Sequence, residues 1–65
     1  MTKKQEANVE RFKRTYADEI EVYELDTWIV ITKPYVSKSA LKILGNCDYL
    51  IEGRKDGKLE ISIRK

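Results

Sequence analysis

At 65 residues the chain has room for one domain, and a domain of that size buries only about 60% of the surface its unfolded form exposes, so its stability starts out marginal. Cys47 is the only cysteine and there is no histidine, which excludes an internal disulfide and a structural zinc site and leaves self-association as the expected aid to stability. The 13 basic and 11 acidic residues nearly cancel to +2, and it is the segregation of their signs along the chain that argues against the one-signed surface of a dedicated nucleic-acid binder.

Thr2 followed by Gln5 fits a capping box, and Val9, Phe12 and Tyr16 then recur at helical spacing, predicting a first helix from about Lys3 to Tyr16. Its apolar stripe is narrow, so the helix docks on a sheet as a lid and cannot sit in the middle of a core. From Glu19 to Lys33 the period changes to two. Ile20 and Val22 alternate with acids, Asp26-Thr27 supplies a turn, and Trp28 to Thr32 is rich in β-branched residues. A two-residue Asp26-Thr27 loop sets Leu25 opposite Trp28, Tyr23 opposite Val30 and Val22 opposite Ile31. That register makes the hairpin apolar on both sides, with Ile20, Val22, Ile29 and Ile31 on one and Tyr23, Leu25, Trp28 and Val30 on the other.

Pro34 ends the ladder, and Ser37 caps a short helix from Lys38 to Leu44 that stops at Gly45-Asn46, with Val36, Ala40, Leu41 and Leu44 facing inward. A second hairpin runs from Cys47 to Arg64. A two-residue Asp56-Gly57 loop would set Leu59, Ile61 and Ile63 beside Arg54, Glu52 and Leu50, mixing charge into the apolar face. A three-residue loop with Gly57 in the bulge position sets them beside Gly53, Ile51 and Tyr49, and is preferred because a one-residue shift turns every side chain over. The chain therefore reads as a single α+β domain spanning residues 1–65, in the order α-β-β-α-β-β. Its simplest architecture is a four-stranded antiparallel sheet from two hairpins joined by a short helix, preceded by an N-terminal helix.

No apolar stretch follows the N-terminal charges, and the longest fully apolar run is Trp28 to Val30 with Ile31, far short of the roughly 20 residues of a membrane-spanning helix. With one unpaired thiol, a cytoplasmic setting is expected. Catalysis is not expected. Without histidine the common general base is missing, and the Ser-x-x-Lys match at Ser39 and Lys42 is what the polar side of an amphipathic helix produces. Asp18 to Asp26 lacks the calcium-loop pattern, the three glycines are isolated, and Cys47 next to Asp48 reads as a buried filler, so no metal, cofactor or small-molecule substrate is expected.

Two functional expectations remain. Tyr23, Leu25, Trp28 and Val30, with Leu50 joining from the second hairpin, form an apolar face that needs a cover. Either one helix lies on each side of the sheet and closes the monomer, or the face is a protein interface, for a homodimer or another partner, in a non-catalytic adaptor or regulatory protein. The alternative is a small nucleic-acid-binding protein that uses Lys33, Lys38, Lys42, Arg54, Lys55 and Lys58 from its basic second half, although Glu52 and Glu60 interrupt that stripe. The signs are also segregated along the chain, with residues 18–26 acidic and free of any base, which suggests charge pairing within the molecule or between copies.

Overall fold

The computed structural model describes residues 1–65 and has the expected order: α1 (Lys3–Thr15), β1 (Glu21–Glu24), β2 (Trp28–Lys33), α2 (Lys38–Leu44), β3 (Tyr49–Gly53) and β4 (Leu59–Arg64). Both helices begin on the caps their sequences announce. The Thr2 hydroxyl accepts from the Gln5 N–H at 3.1 Å while the Gln5 side chain accepts from the Thr2 N–H at 2.8 Å, and the Ser37 hydroxyl accepts from the Ala40 N–H at 3.1 Å. No helix is long and apolar enough to cross a membrane.

The four strands form one antiparallel sheet in the order β1-β2-β4-β3. In the first hairpin Val22 pairs with Ile31 and Tyr23 with Val30, and the Leu25 N–H donates to the Trp28 carbonyl at 2.7 Å to close the Asp26-Thr27 loop. In the second, Tyr49, Ile51 and Gly53 pair with Ile63, Ile61 and Leu59. Gly57 carries the positive φ, 87°, of a three-residue loop, so the alternative register that would have mixed charge into the apolar face is absent. The two hairpins join through their second strands, with Ile29 opposite Ile63 and Ile31 opposite Ile61.

One apolar cluster holds the layers together: Val9 and Phe12 from α1, Ala40 and Leu44 from α2, Cys47, and Ile29, Ile31, Ile61 and Ile63 from the two central strands. The registers put those four isoleucines on the same side of the sheet, so both helices lie on that side. The expectation of one helix on each side is therefore corrected, and the physical reason lies in α2. Its N-terminal Ser37 follows β2 by only a few residues, and its C-terminal end is tied to α1 by hydrogen bonds from Gln5 Nε2 to the Asn46 carbonyl (3.2 Å) and from Asn8 Nδ2 to the Leu44 carbonyl (3.4 Å). Gly45 makes the approach possible. Its φ is +60°, and a Cβ there would stand 2.9 Å from Asn8 Nδ2.

Candidate functional site

With both helices on one side, the other side of the sheet has no layer over it. Cross-strand registers divide this open side into rows about 7 Å apart, two residues of strand each. Nearest the β3–β4 turn stand Arg54 and Lys58. Next comes a polar row of Glu21, Thr32, Glu60 and Glu52, then Tyr23, Val30, Ser62 and Leu50, and finally Leu25, Trp28 and Arg64. The side is thus charged at one end and apolar at the other.

Within the apolar half, Tyr23, Leu25 and Leu50 are 49%, 50% and 58% exposed, and Trp28 is half-buried. Val30 lies between them at 4%, shielded by its neighbours on the adjoining strands with no element above it. Trp28, Leu50, Tyr49, Asp48 and Arg64 also line an open recess of about 340 Å³ at the end of the sheet, where the Arg64 N–H donates to the Asp48 carbonyl at 2.8 Å. The four residues expected to form an interface are therefore brought together on one face, and Leu50 shares that face from the opposite edge strand, across Ser62 from Val30. Val30 acts there as the floor, and Tyr23, Leu25 and Trp28 as the projecting groups.

The six candidate nucleic-acid contacts are not brought together. Lys33 is corrected outright: it is 1% exposed, and its ammonium donates to Glu19 Oε1 and to the Tyr35 carbonyl, both at 3.1 Å, while lying 4.3 Å from the Tyr16 ring centre and 4.6 Å from that of Tyr35. A charge held that way does not reach a phosphate, and the cage replaces the water shell of the ammonium with a carboxylate, a carbonyl and two ring faces. Arg54 pairs with Asp56 at 3.3 Å and donates to the Thr32 hydroxyl at 3.2 Å, and Lys58 pairs with Glu21 at 3.8 Å. Lys55 is exposed at the turn, and Lys38 and Lys42 lie on α2, on the opposite side of the sheet from Arg54 and Lys58.

The three glutamates of the acidic segment have partners inside the molecule, while Asp18 and Asp26 are in no ion pair: Glu19 takes Lys33, Glu21 takes Lys58 and Glu24 takes Lys65 at 3.1 Å. The Lys65 ammonium beside it holds the Glu24 carboxyl below its usual range, by hydrogen bonding first and charge second. Cys47 sits in the core with its thiol directed at the Gln5 carbonyl, 3.7 Å away; burial, and then the charge of Asp48, push its pKa up, so it is a poor nucleophile. Nowhere do three or more carboxylate or thiol groups converge as a metal cluster would require. Comparison of the chain with family models, curated proteins and solved structures found no match.

Proposed function

We propose that this is a non-catalytic interaction protein that acts through the apolar half of its open sheet face and pairs there with a second copy of itself. The observation that carries the reading is the placement of both helices on one side, which leaves Tyr23, Leu25 and Trp28 grouped on the first hairpin and Leu50 on the opposite edge strand, all on one solvent-facing surface with Trp28 and Leu50 sharing a recess. Aromatic anchors over an aliphatic floor are what the cores of protein interfaces favour. A domain this small also gains most from burying such a patch, because its single core is limited by its surface-to-volume ratio. The charged rows at the other end of the face, Glu21, Glu52 and Glu60 with Lys58 and Arg54, supply a polar rim that sets the orientation of the pair.

The test is solution mass by light scattering coupled to size exclusion, at low micromolar protein and at two salt concentrations. Twice the 7.6 kDa chain mass at both salts is expected. Leu50→Arg, at an exposed position that does not support the fold, should yield a monomer with an unchanged far-UV spectrum, and Trp28→Ala should do the same. A wild-type monomer throughout the concentration range defeats the proposal.

A further inference from the structure

The charges of the two layers differ in how they are used. In the sheet layer and its loops, Lys33, Arg54, Lys58 and Lys65 are each in an ion pair, leaving Lys55 and Arg64 outside any. In the helix layer only Lys13 is paired, with Glu10 at 3.1 Å. Lys3, Lys4, Arg11 and Arg14 on α1 and Lys38 and Lys42 on α2 are all exposed and without an acidic partner.

These six bases form one surface. At about 100° per residue, Lys3, Lys4, Arg11 and Arg14 fall within an arc of about 100° on α1, opposite the buried Val9 and Phe12, with the small Ala7 at its centre. No acid lies within that arc. The only acids on either helix, Glu6 and Glu10, occupy the flank of α1 that carries Lys13, and Glu6 lines a recess with Glu24 and Lys65 at the β1 side of the molecule. The other flank, bearing Asn8, is bonded to the end of α2. The two helices run antiparallel, because Tyr16 after α1 and Tyr35 before α2 both stack on Lys33 while Gln5 bonds to Asn46 beyond α2. Ala40 and Leu44 turn inward, which turns Lys38 and Lys42 outward beside the Arg11 and Arg14 half of the stripe.

We infer that this outward helix surface binds the phosphate backbone of double-stranded nucleic acid without reading its sequence. The stripe from Lys3 to Arg14 is about 16 Å long. A duplex presents one charge per about 1.7 Å of its axis, so about ten phosphates lie alongside that length, and release of their condensed counterions supplies affinity without any apolar contact. The surface has nothing else to offer. Its one exposed aromatic, Tyr35 ahead of α2, is stacked on the Lys33 ammonium, and α1 exposes no apolar side chain larger than Ala7, so the surface lacks the clustered anchors a protein interface needs and the apolar face an interfacial membrane helix inserts. The amide side chains of α1, which could read adenine, are turned away, Asn8 bonded to the end of α2 and Gln5 to Asn46 beyond it, so the groups left facing outward are the lysines and arginines that hold a phosphate backbone. This surface is on the opposite layer from the apolar sheet face, and the inference does not rest on that face pairing with anything.

The probe is a fluorescently labelled duplex DNA of about 20 base pairs, titrated with the full chain at salt concentrations from about 50 to about 200 mM. Six phosphate contacts predict a slope near −5 in log K against log salt, a loss of about 10³-fold over that range, and the same curve for two duplexes of unrelated sequence. Arg11→Gln with Arg14→Gln should make the slope shallower by about 2 while leaving the far-UV spectrum unchanged; Lys55→Gln with Arg64→Gln, removing the unpaired bases of the other layer, should leave the slope as it was. Absence of binding at the lowest salt overturns the inference. So does a slope indifferent to the helix variant, a preference above tenfold between the two duplexes, or tighter binding to phosphatidylserine vesicles or polyglutamate than to the duplex at equal salt.

Discussion

On the helix side of the sheet, Ile29, Ile31, Ile61 and Ile63 are at most 7% exposed beneath Val9, Phe12, Ala40 and Leu44, whereas on the open side Tyr23, Leu25 and Leu50 stand at 49% to 58%. The same four strands build both sides. Val30 and Thr32 nevertheless face the open side and are buried, at 4% and 3%, because β2 is flanked on both edges and the side chains around them close over. Val22 and Ile51 face the helix side and are both 38% exposed, because they lie on the edge strands β1 and β3, beyond the reach of the helices. Burial here follows position in the sheet as well as face: the central strands carry the stability, and the edges and the open row carry what is free to act.

The sharpest way to break that contrast is a pair of truncations. Ile61→Ala should cost about 2–5 kcal/mol in urea unfolding, independently of protein concentration, since it empties a fully buried site among the helices. Leu50→Ala should change the isolated chain by less than about 0.5 kcal/mol, with any larger loss growing as protein concentration rises. Equal, concentration-independent losses would mean that the open row is packed within the monomer.

A smaller effect sharpens the contrast at its one polar exception, because Lys33 faces the helix side and is as buried as any isoleucine there. Glu19→Ala strands its ammonium with a carbonyl and two rings, and a loss of about 2–3 kcal/mol is expected. Lys33→Met removes the charge and keeps the chain length, so it should stay within about 1 kcal/mol of the wild type. The reverse ranking in denaturant titrations would mean that the caged charge is stabilising in itself.

The smallest effect concerns Cys47 at the rim of the same core. Its pKa is raised in the folded state, so above the ordinary thiol value of about 8.5 the unfolded chain has released a proton that the folded chain still holds. Stability therefore falls as pH rises through that region, and this contribution is intact at neutral and acid pH. Cys47→Ala should flatten the decline slightly relative to the wild type. The native thiol should also react with an aromatic disulfide reagent at least about tenfold more slowly than the unfolded one.

Local chemistry made most of the fold legible. Thr2 and Gln5, Ser37, and Gly57 each announce one terminus or turn, and the rule that a shifted strand turns over its side chains then selected Ile51 opposite Ile61. Strand order and the side taken by each helix depend on contacts such as Asn8 with Leu44, between residues far apart in sequence that carry no local mark of one another. Lys33 misleads for the same reason: beside Pro34 at a strand end it reads as exposed, and only the approach of Tyr16, Glu19 and Tyr35 buries it. The apolar row was legible once the hairpin registers were known. The free basic surface lies elsewhere than a count along the chain points. Counting bases by segment favoured the second half of the chain, whose Arg54, Lys58 and Lys65 turn out to be neutralised by Asp56, Glu21 and Glu24. A helical projection of residues 3–14 carries the signal that the count concealed.

The order β1-β2-β4-β3 has a further consequence, for the route by which the chain folds. Each hairpin closes over a loop of two or three residues and forms quickly, yet a lone two-stranded hairpin is marginal in water. The pairing of β2 with β4 joins them, and it brings together partners roughly 26 to 36 residues apart, from Lys33 with Leu59 to Trp28 with Arg64. The entropic cost of closing that long loop falls at the step that first shelters Ile31 and Ile61, so the barrier to folding sits at the meeting of two preformed hairpins. Until that meeting, the isoleucines of the central strands are exposed to every other chain in solution, which makes the unjoined hairpins the most aggregation-prone species on the pathway.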